Sequence, residues 1–178
     1  IGDGMNSAIL PILYVQDLGW APESYAQVVA GLGSFFEFFG ALLGGFLADR
    51  IGRRKVISMG YGGFGLVALI FGFFSAYWGS QWFASGYLII YPFLRALGTV
   101  AIFSLCMHIS WTKSAATMFT SYMAFSNIST TTGNKLAGPL TESLAFDASF
   151  IIIGILAIIP LICMMMINPN QVDRVKNT

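Results

Sequence analysis

Hydrophobic residues fall along this chain in six long runs, over 1–16, 24–48, 56–78, 82–109, 115–140 and 146–167, each parted from the next by a short polar turn. A helix crosses the hydrocarbon core of a bilayer with about 20 predominantly apolar residues, and every run but the first is long enough. The first is short because the chain begins inside a helix, which predicts a fragment of something longer. The pattern therefore predicts an all-α membrane protein with six transmembrane helices over 1–170, followed by a polar tail over 171–178.

The turns carry charge in alternation. Asp17 and Glu23 stand in the first turn without a base, whereas Arg50, Arg53, Arg54 and Lys55 put four of the nine basic residues into the second. Gly79-Ser80-Gln81 is neutral, the next turn holds Lys113, the fifth holds Glu142 and Asp147, and the tail holds Asp173, Arg174 and Lys176. Basic loops stay on the cytoplasmic side, so loop 49–55, Lys113 and the tail are expected there. Trp20, Trp78, Trp82 and Trp111 all fall at predicted helix ends, where amphipathic rings favour the headgroup layer.

Composition agrees with this class. The chain is 56% hydrophobic and 10% charged, with mean hydropathy +0.74, more apolar surface than one soluble core could hide. A net charge of +1, gathered at helix ends rather than along one face, gives no case for nucleic acid. Cys106 and Cys163 lie inside apolar runs without metal-ligand spacing and read as small buried hydrophobes. No cofactor or metal is implied. The first residues lack the basic stretch and cleavage pattern of a signal peptide. Gly40 and Gly44, four apart, and Gly60, Gly62, Gly63 and Gly65 predict close helix packing. The sequon Asn127-Ile128-Ser129 lies mid-helix and is discounted.

Four charges remain inside the spans: Asp3, Glu37, Arg95 and Lys135. An ionised side chain at mid-bilayer costs about 2.5–3.5 kcal/mol on insertion scales, so it persists where it is paired or faces water. At about 1.5 Å of rise per residue, Asp3, Glu37 and Arg95 share one layer, and Lys135 lies about half as deep. The third and sixth helices carry no such charge and read as lipid-facing support. Tyr87, Tyr91, Arg95 and Thr99 follow four apart and share one helix face. Thr120, Asn127, Thr131, Asn134 and Lys135 make a polar stripe too wet for lipid, and Asn6 and Ser7 lie one turn from Asp3. These faces predict a polar site or a coupled ion network, against the alternative of a static pair that only holds helices together. His108 reads as interfacial. With no matching Ser, Cys or ligand cluster beside it, an enzyme is not predicted.

The charged turn carries a family resemblance. Gly45-x-Leu47-Ala48-Asp49-Arg50-x-Gly52-Arg53-Arg54 resembles the loop signature of the major facilitator superfamily, and it joins the second and third helices of a six-helix set, as in that family. The resemblance implies transporters of two six-helix halves, with the first, second, fourth and fifth helices of each half around a central cavity. Those are the helices that carry charge here. It further implies a gating role for the motif, in which Asp49, Arg50 and Arg53 contact neighbouring helix ends and help hold an outward-open state. The stretch from Ser114 through Thr120 to Asn127, with Gly138-Pro139, is similar to the fifth helix of the C-terminal half in the branch of AmpG-like muropeptide permeases, acetyl-coenzyme A transporters and related siderophore importers.

These readings together predict one half, the C-terminal one, of a proton-coupled secondary transporter in a bacterial inner membrane, moving a polar, anionic small solute such as a muropeptide by alternating access. Arg95 and Lys135 would attract its anionic groups, Tyr87, Tyr91, Asn127 and Thr131 would line its path, and Asp3 and Glu37 would exchange the proton. Its partners would be the solute, protons, the lipid bilayer and the other six-helix half. The alternatives are a sensor or binding protein that keeps the fold without transport, a facilitative uniporter, or a siderophore importer.

Overall fold

The computed structural model describes residues 1–109 and 115–166. All regular elements among them are helical, as lipid requires when every backbone N–H and C=O must be satisfied within its own segment. Helix α1 (Gly2–Ile12) holds Pro11, and the backbone beyond it widens into a π turn over Leu13–Asp17, in which the Leu18 N–H reaches the Leu13 carbonyl at 2.9 Å. Helix α2 (Pro22–Gln27) runs through a second π turn, Val28–Gly33, into α3 (Ser34–Ile51). Then come α4 (Arg53–Phe73), a short 3-10 turn at Ser75–Tyr77, α5 (Gln81–Ile109), α6 (Ala115–Ser143) and α7 (Phe146–Met166). Lys113, Trp111 and the tail lie outside the described residues, as do the side chain of Cys163 and part of the 114–120 segment.

Three helices among the described residues are long and apolar enough by themselves to cross a membrane: Pro22–Ile51, Arg53–Phe73 and Gln81–His108. Helix α7 (Phe146–Met166) is apolar over Phe146–Ile162, as far as its side chains are described, whereas α1 is short and α6 has the length but is crowded with Thr, Ser and Asn.

The helices run further into the charged turn than the apolar pattern predicts. A single residue, Gly52, parts α3 from α4, and its φ of +96° is a conformation that a Cβ disfavours. One glycine thus reverses the chain, and Asp49, Arg50, Arg53 and Arg54 sit in the last and first helical turns. Arg50 at the C-terminus of α3 is favoured by the helix dipole.

Lipid tails are as apolar as leucine, so close backbone approach, rather than hydrophobic burial, draws these helices together. Helix α5 is the hub, with α3 along one side and α4 along another. A Cβ built on Gly44 would lie 2.7 Å from the Leu97 carbonyl oxygen, and one on Gly60 would lie 2.5 Å from the Gly98 Cα. Helix α4 packs in turn on α7, where a Cβ on Gly65 would come within 2.9 Å of the Gly154 carbonyl oxygen, and α1 packs on α6 and α7. Neighbours therefore follow one another as α3, α5, α4, α7, α1, α6. Helices α4 and α7 form the back, with Met59, Leu66, Ile70, Ile155, Ile159 and Ile162 exposed on it.

Towards the end away from the charged turn, the centre is aromatic. Phe71 stacks on Tyr87 at 4.1 Å and on Trp78 at 5.1 Å, and Phe150 meets both Phe71 and Tyr87 edge-on. Two polar tips inside bond to backbone carbonyls: Tyr14 Oη donates to the Ala84 carbonyl and Trp78 Nε1 to the Phe71 carbonyl, both at 2.8 Å. Trp78 is therefore a core residue with 7% of its surface exposed, whereas Trp82 is 90% exposed.

Candidate functional site: a charged triad across three helices

The face of α5 that carries a polar residue every fourth position reaches a different helix at nearly every step. Tyr87 Oη donates a 2.6 Å hydrogen bond to Asn6 Oδ1 on α1. Tyr91 stacks on Tyr87 at 5.4 Å and leans on Phe64 of α4. Arg95 sits between two carboxylates, its Nη2 donating to Glu37 Oε1 of α3 while its Nη1 stands 3.6 Å from Asp3 Oδ2 of α1. Thr99 shares a 3.0 Å hydrogen bond with the Tyr61 hydroxyl of α4.

Three of the four intramembrane charges thus meet at one point. Their exposure decides what they can do: the side chains of Arg95, Asp3 and Glu37 are 30%, 27% and 41% exposed. A sealed ion pair would be scaffold, but this one opens onto a cavity of about 210 Å³ between α3 and α5, lined by Glu37, Phe38, Ala41, Arg95, Ala96, Thr99 and Val100. A guanidinium offers five donors in a planar fork that matches carboxylate or phosphate. Two carboxylates now occupy part of it, and Nε makes no hydrogen bond among the described residues.

The other predicted site residues are placed differently. Lys135 is exposed on α6, and no ion pair among the described residues joins it to the triad. Asn127 and Thr131 are exposed on the same helix, whose Gly133 and Ala137 turn inward against the bundle. Tyr87 is 3% exposed, so its ring belongs to the aromatic core and its hydroxyl to Asn6. Tyr91 is half-buried between that core and the triad.

At the charged turn, Arg53 reaches from α4 to α5, its Nε donating to Ser104 Oγ at 2.8 Å, and its Nη2 lies 3.8 Å from Asp49 Oδ1. The Arg50 guanidinium lies over the Phe46 ring at 4.5 Å, a cation–π contact. Gly45 is half-buried, and a Cβ there would stand 3.8 Å from Val100. Arg54 is half-buried, while Gly52 and Asp49 are exposed.

Sequence reasoning did not single out Tyr61 or Ser104. Tyr61 sits where Gly98 leaves room for its ring, and the spacing of neither residue announces its partner.

The whole of this arrangement falls within one family. The sequence matches the model described as Major Facilitator Superfamily over residues 1–177. The chain belongs to the major facilitator superfamily. No curated protein and no solved structure matches it. Members of this superfamily are membrane transporters rather than enzymes, so the chain is an integral membrane protein of transport.

Proposed function

We propose that this major facilitator chain forms one six-helix half, the C-terminal one, of a secondary transporter that couples protons to the movement of a polar, anionic small solute. The observation that carries the reading is Arg95, held between Asp3 and Glu37 at the edge of a cleft. One guanidinium between two carboxylates leaves a net negative centre, so an anion can bind only by displacing a carboxylate or by arriving with a proton. A displaced carboxylate is left as an uncompensated charge between the helices, which a proton arriving with the solute offsets. Binding of solute and binding of proton then favour each other, and alternating access turns that linkage into symport.

Glu37 is the more exposed of the two acids and the one that borders the cleft, so it is the group that solute displaces. Asp3 keeps Arg95 oriented from the other side. Tyr91, between the core and the triad, packs on the solute's body. Lys135, Asn127 and Thr131 form a second polar wall on α6, to which the opposite six-helix half brings the solute. Loop 49–55 faces the cytoplasm of a bacterial inner membrane, where Asp49, Arg50 and Arg53 brace the closed inner side. A muropeptide suits the branch that the segment from Ser114 through Thr120 to Asn127 resembles, and it supplies carboxylates for Arg95.

Proton-gradient-driven uptake of anionic muropeptides by the full-length transporter in liposomes tests this. Arg95→Ala should abolish uptake, and Glu37→Gln should keep solute exchange while losing accumulation against a gradient. Wild-type transport in both variants would make the triad scaffold. No counterflow by the wild type with any anionic solute would favour a non-transporting sensor.

A further inference from the structure

Glu37 and Arg95 stand at one end of the cleft between α3 and α5. From there its wall continues by about one helical turn towards the charged turn, as Phe38 and Ala41 on α3 and Ala96 and Val100 on α5. All four are apolar. Thr99 also lines the cleft, but its hydroxyl is engaged with Tyr61 Oη of α4 at 3.0 Å. Val100 marks the far end, its Cγ1 3.8 Å from a Cβ built on Gly45. The cleft is therefore charged at one end and apolar along the rest of its length.

Size and chemistry together select the occupant. At about 210 Å³ the cleft is smaller than the roughly 300–1,000 Å³ that encloses a drug-sized ligand, so it takes a small group rather than a whole extended solute. A hydroxyl or amide laid against Phe38, Ala41, Ala96 and Val100 would give up water without gaining a partner there, and a second charge would fare worse. An alkyl group gains by leaving water. The two alanines make the room, since a larger side chain at either position would fill it.

We propose that Ala41 and Ala96 set the size of a short alkyl substituent that the solute carries beside its anionic group, so that the ligand of this cleft is a small monocarboxylate with an apolar tail. The inference deepens the anion reading of Arg95 and rests on it. A carboxylate that takes the place of Glu37 on Arg95 Nη2 stands at the charged end, with its tail against Phe38 and Val100.

Binding of radiolabelled acetate, butyrate and succinate to the full-length transporter in liposomes tests this. Butyrate should bind tighter than acetate by about two- to fourfold for each added methylene. Succinate, which is butyrate with a second carboxylate in place of the methyl, should bind about tenfold weaker than butyrate or worse. Ala41→Leu and Ala96→Leu should each bring butyrate and acetate to parity, a ratio that does not depend on the fraction of protein folded. Should the tightly packed Ala96→Leu fail to fold, Ala41→Leu, at a half-buried position, decides alone. No binding of butyrate, equal binding of acetate and butyrate by the wild type, succinate as good as butyrate, or an advantage of butyrate that survives Ala41→Leu overturns the proposal. Arg95→Ala separates it from the reading beneath. Loss of all three carboxylates in Arg95→Ala, with the butyrate advantage intact in Ala41→Leu, overturns the subsite alone, whereas wild-type binding of butyrate by Arg95→Ala overturns the anion reading and the subsite with it.

Discussion

Arg53 on α4 donates a 2.8 Å hydrogen bond from Nε to Ser104 Oγ on α5, which joins the arginine of the charged turn to a helix that the turn does not connect. The bond does what the motif's sequence alone could not specify: it chooses a neighbour. Hydrogen bonds to charged groups contribute about 1.5–3 kcal/mol, and partial exposure of Arg53 places this one at the low end. Ser104→Ala should therefore lower stability by about 1 kcal/mol. Arg53→Lys, which loses the planar Nε donor, should cost a similar amount. Thermal unfolding in detergent reads both, and unchanged midpoints would mean that the bond contributes nothing.

Close backbone approach makes a sharper forecast. Gly44 lies under Leu97 at the α3–α5 contact, whereas Gly86, also in a helix interior, would place a Cβ in open space. Gly44→Leu should destabilise by about 1–3 kcal/mol through overpacking. Gly86→Ala should be neutral or stabilise by up to about 1 kcal/mol, since alanine loses less backbone freedom in a helix. Equal midpoints for the two variants would remove the argument that glycines set the α3–α5 distance.

How much could be read beforehand follows from these contacts. Helical periodicity and apolar length were legible because they are local: α5 runs Gln81–Ile109 and α7 begins at Phe146, where the hydrophobic runs place them. The meeting of Asp3, Glu37 and Arg95 was legible too, since depth in a bilayer is counted along each helix and charge there needs company. Azimuth was not. Lys135 makes no ion pair with the triad, for Gly133 and Ala137 are the positions of α6 that turn towards the bundle while Lys135 is exposed, and Tyr87 stacks on Phe71 in the core. The short reversal at Gly52 was missed as well, because a charge-rich stretch reads as a loop even where one positive-φ glycine suffices.

The two tryptophans around the 3-10 turn separate burial from lipid contact. Trp78 donates to the Phe71 carbonyl inside the aromatic cluster, while Trp82, four residues on, is almost wholly exposed. In single-tryptophan proteins reconstituted with brominated lipid, Trp82 should be strongly quenched and Trp78 little. Trp78→Ala should cost about 3–5 kcal/mol and Trp82→Ala within about 0.5 kcal/mol. Equal quenching would place both rings at the lipid boundary.

The triad itself should behave as a coupled unit in which loss of one partner is worse than loss of two. Arg95→Gln leaves Asp3 and Glu37 facing each other without a cation. Removing one partner of a buried pair costs about 3–5 kcal/mol, and an exposed pair is worth about 0–1 kcal/mol. With side chains about a third exposed, the single variant should lose about 2 kcal/mol. Glu37→Gln added to Arg95→Gln removes one of the stranded charges and should restore part of that loss, by about 0.5–1 kcal/mol in the double-mutant cycle. Asp3→Asn added instead should restore less, because at 3.6 Å its contact with Arg95 is the longer of the two. Unfolding midpoints of the wild type, the three single variants and the two double variants measure this directly. Strict additivity across the cycle would show that Arg95 and Glu37 do not hold each other, and would remove the physical basis for an anion competing with Glu37 at that guanidinium.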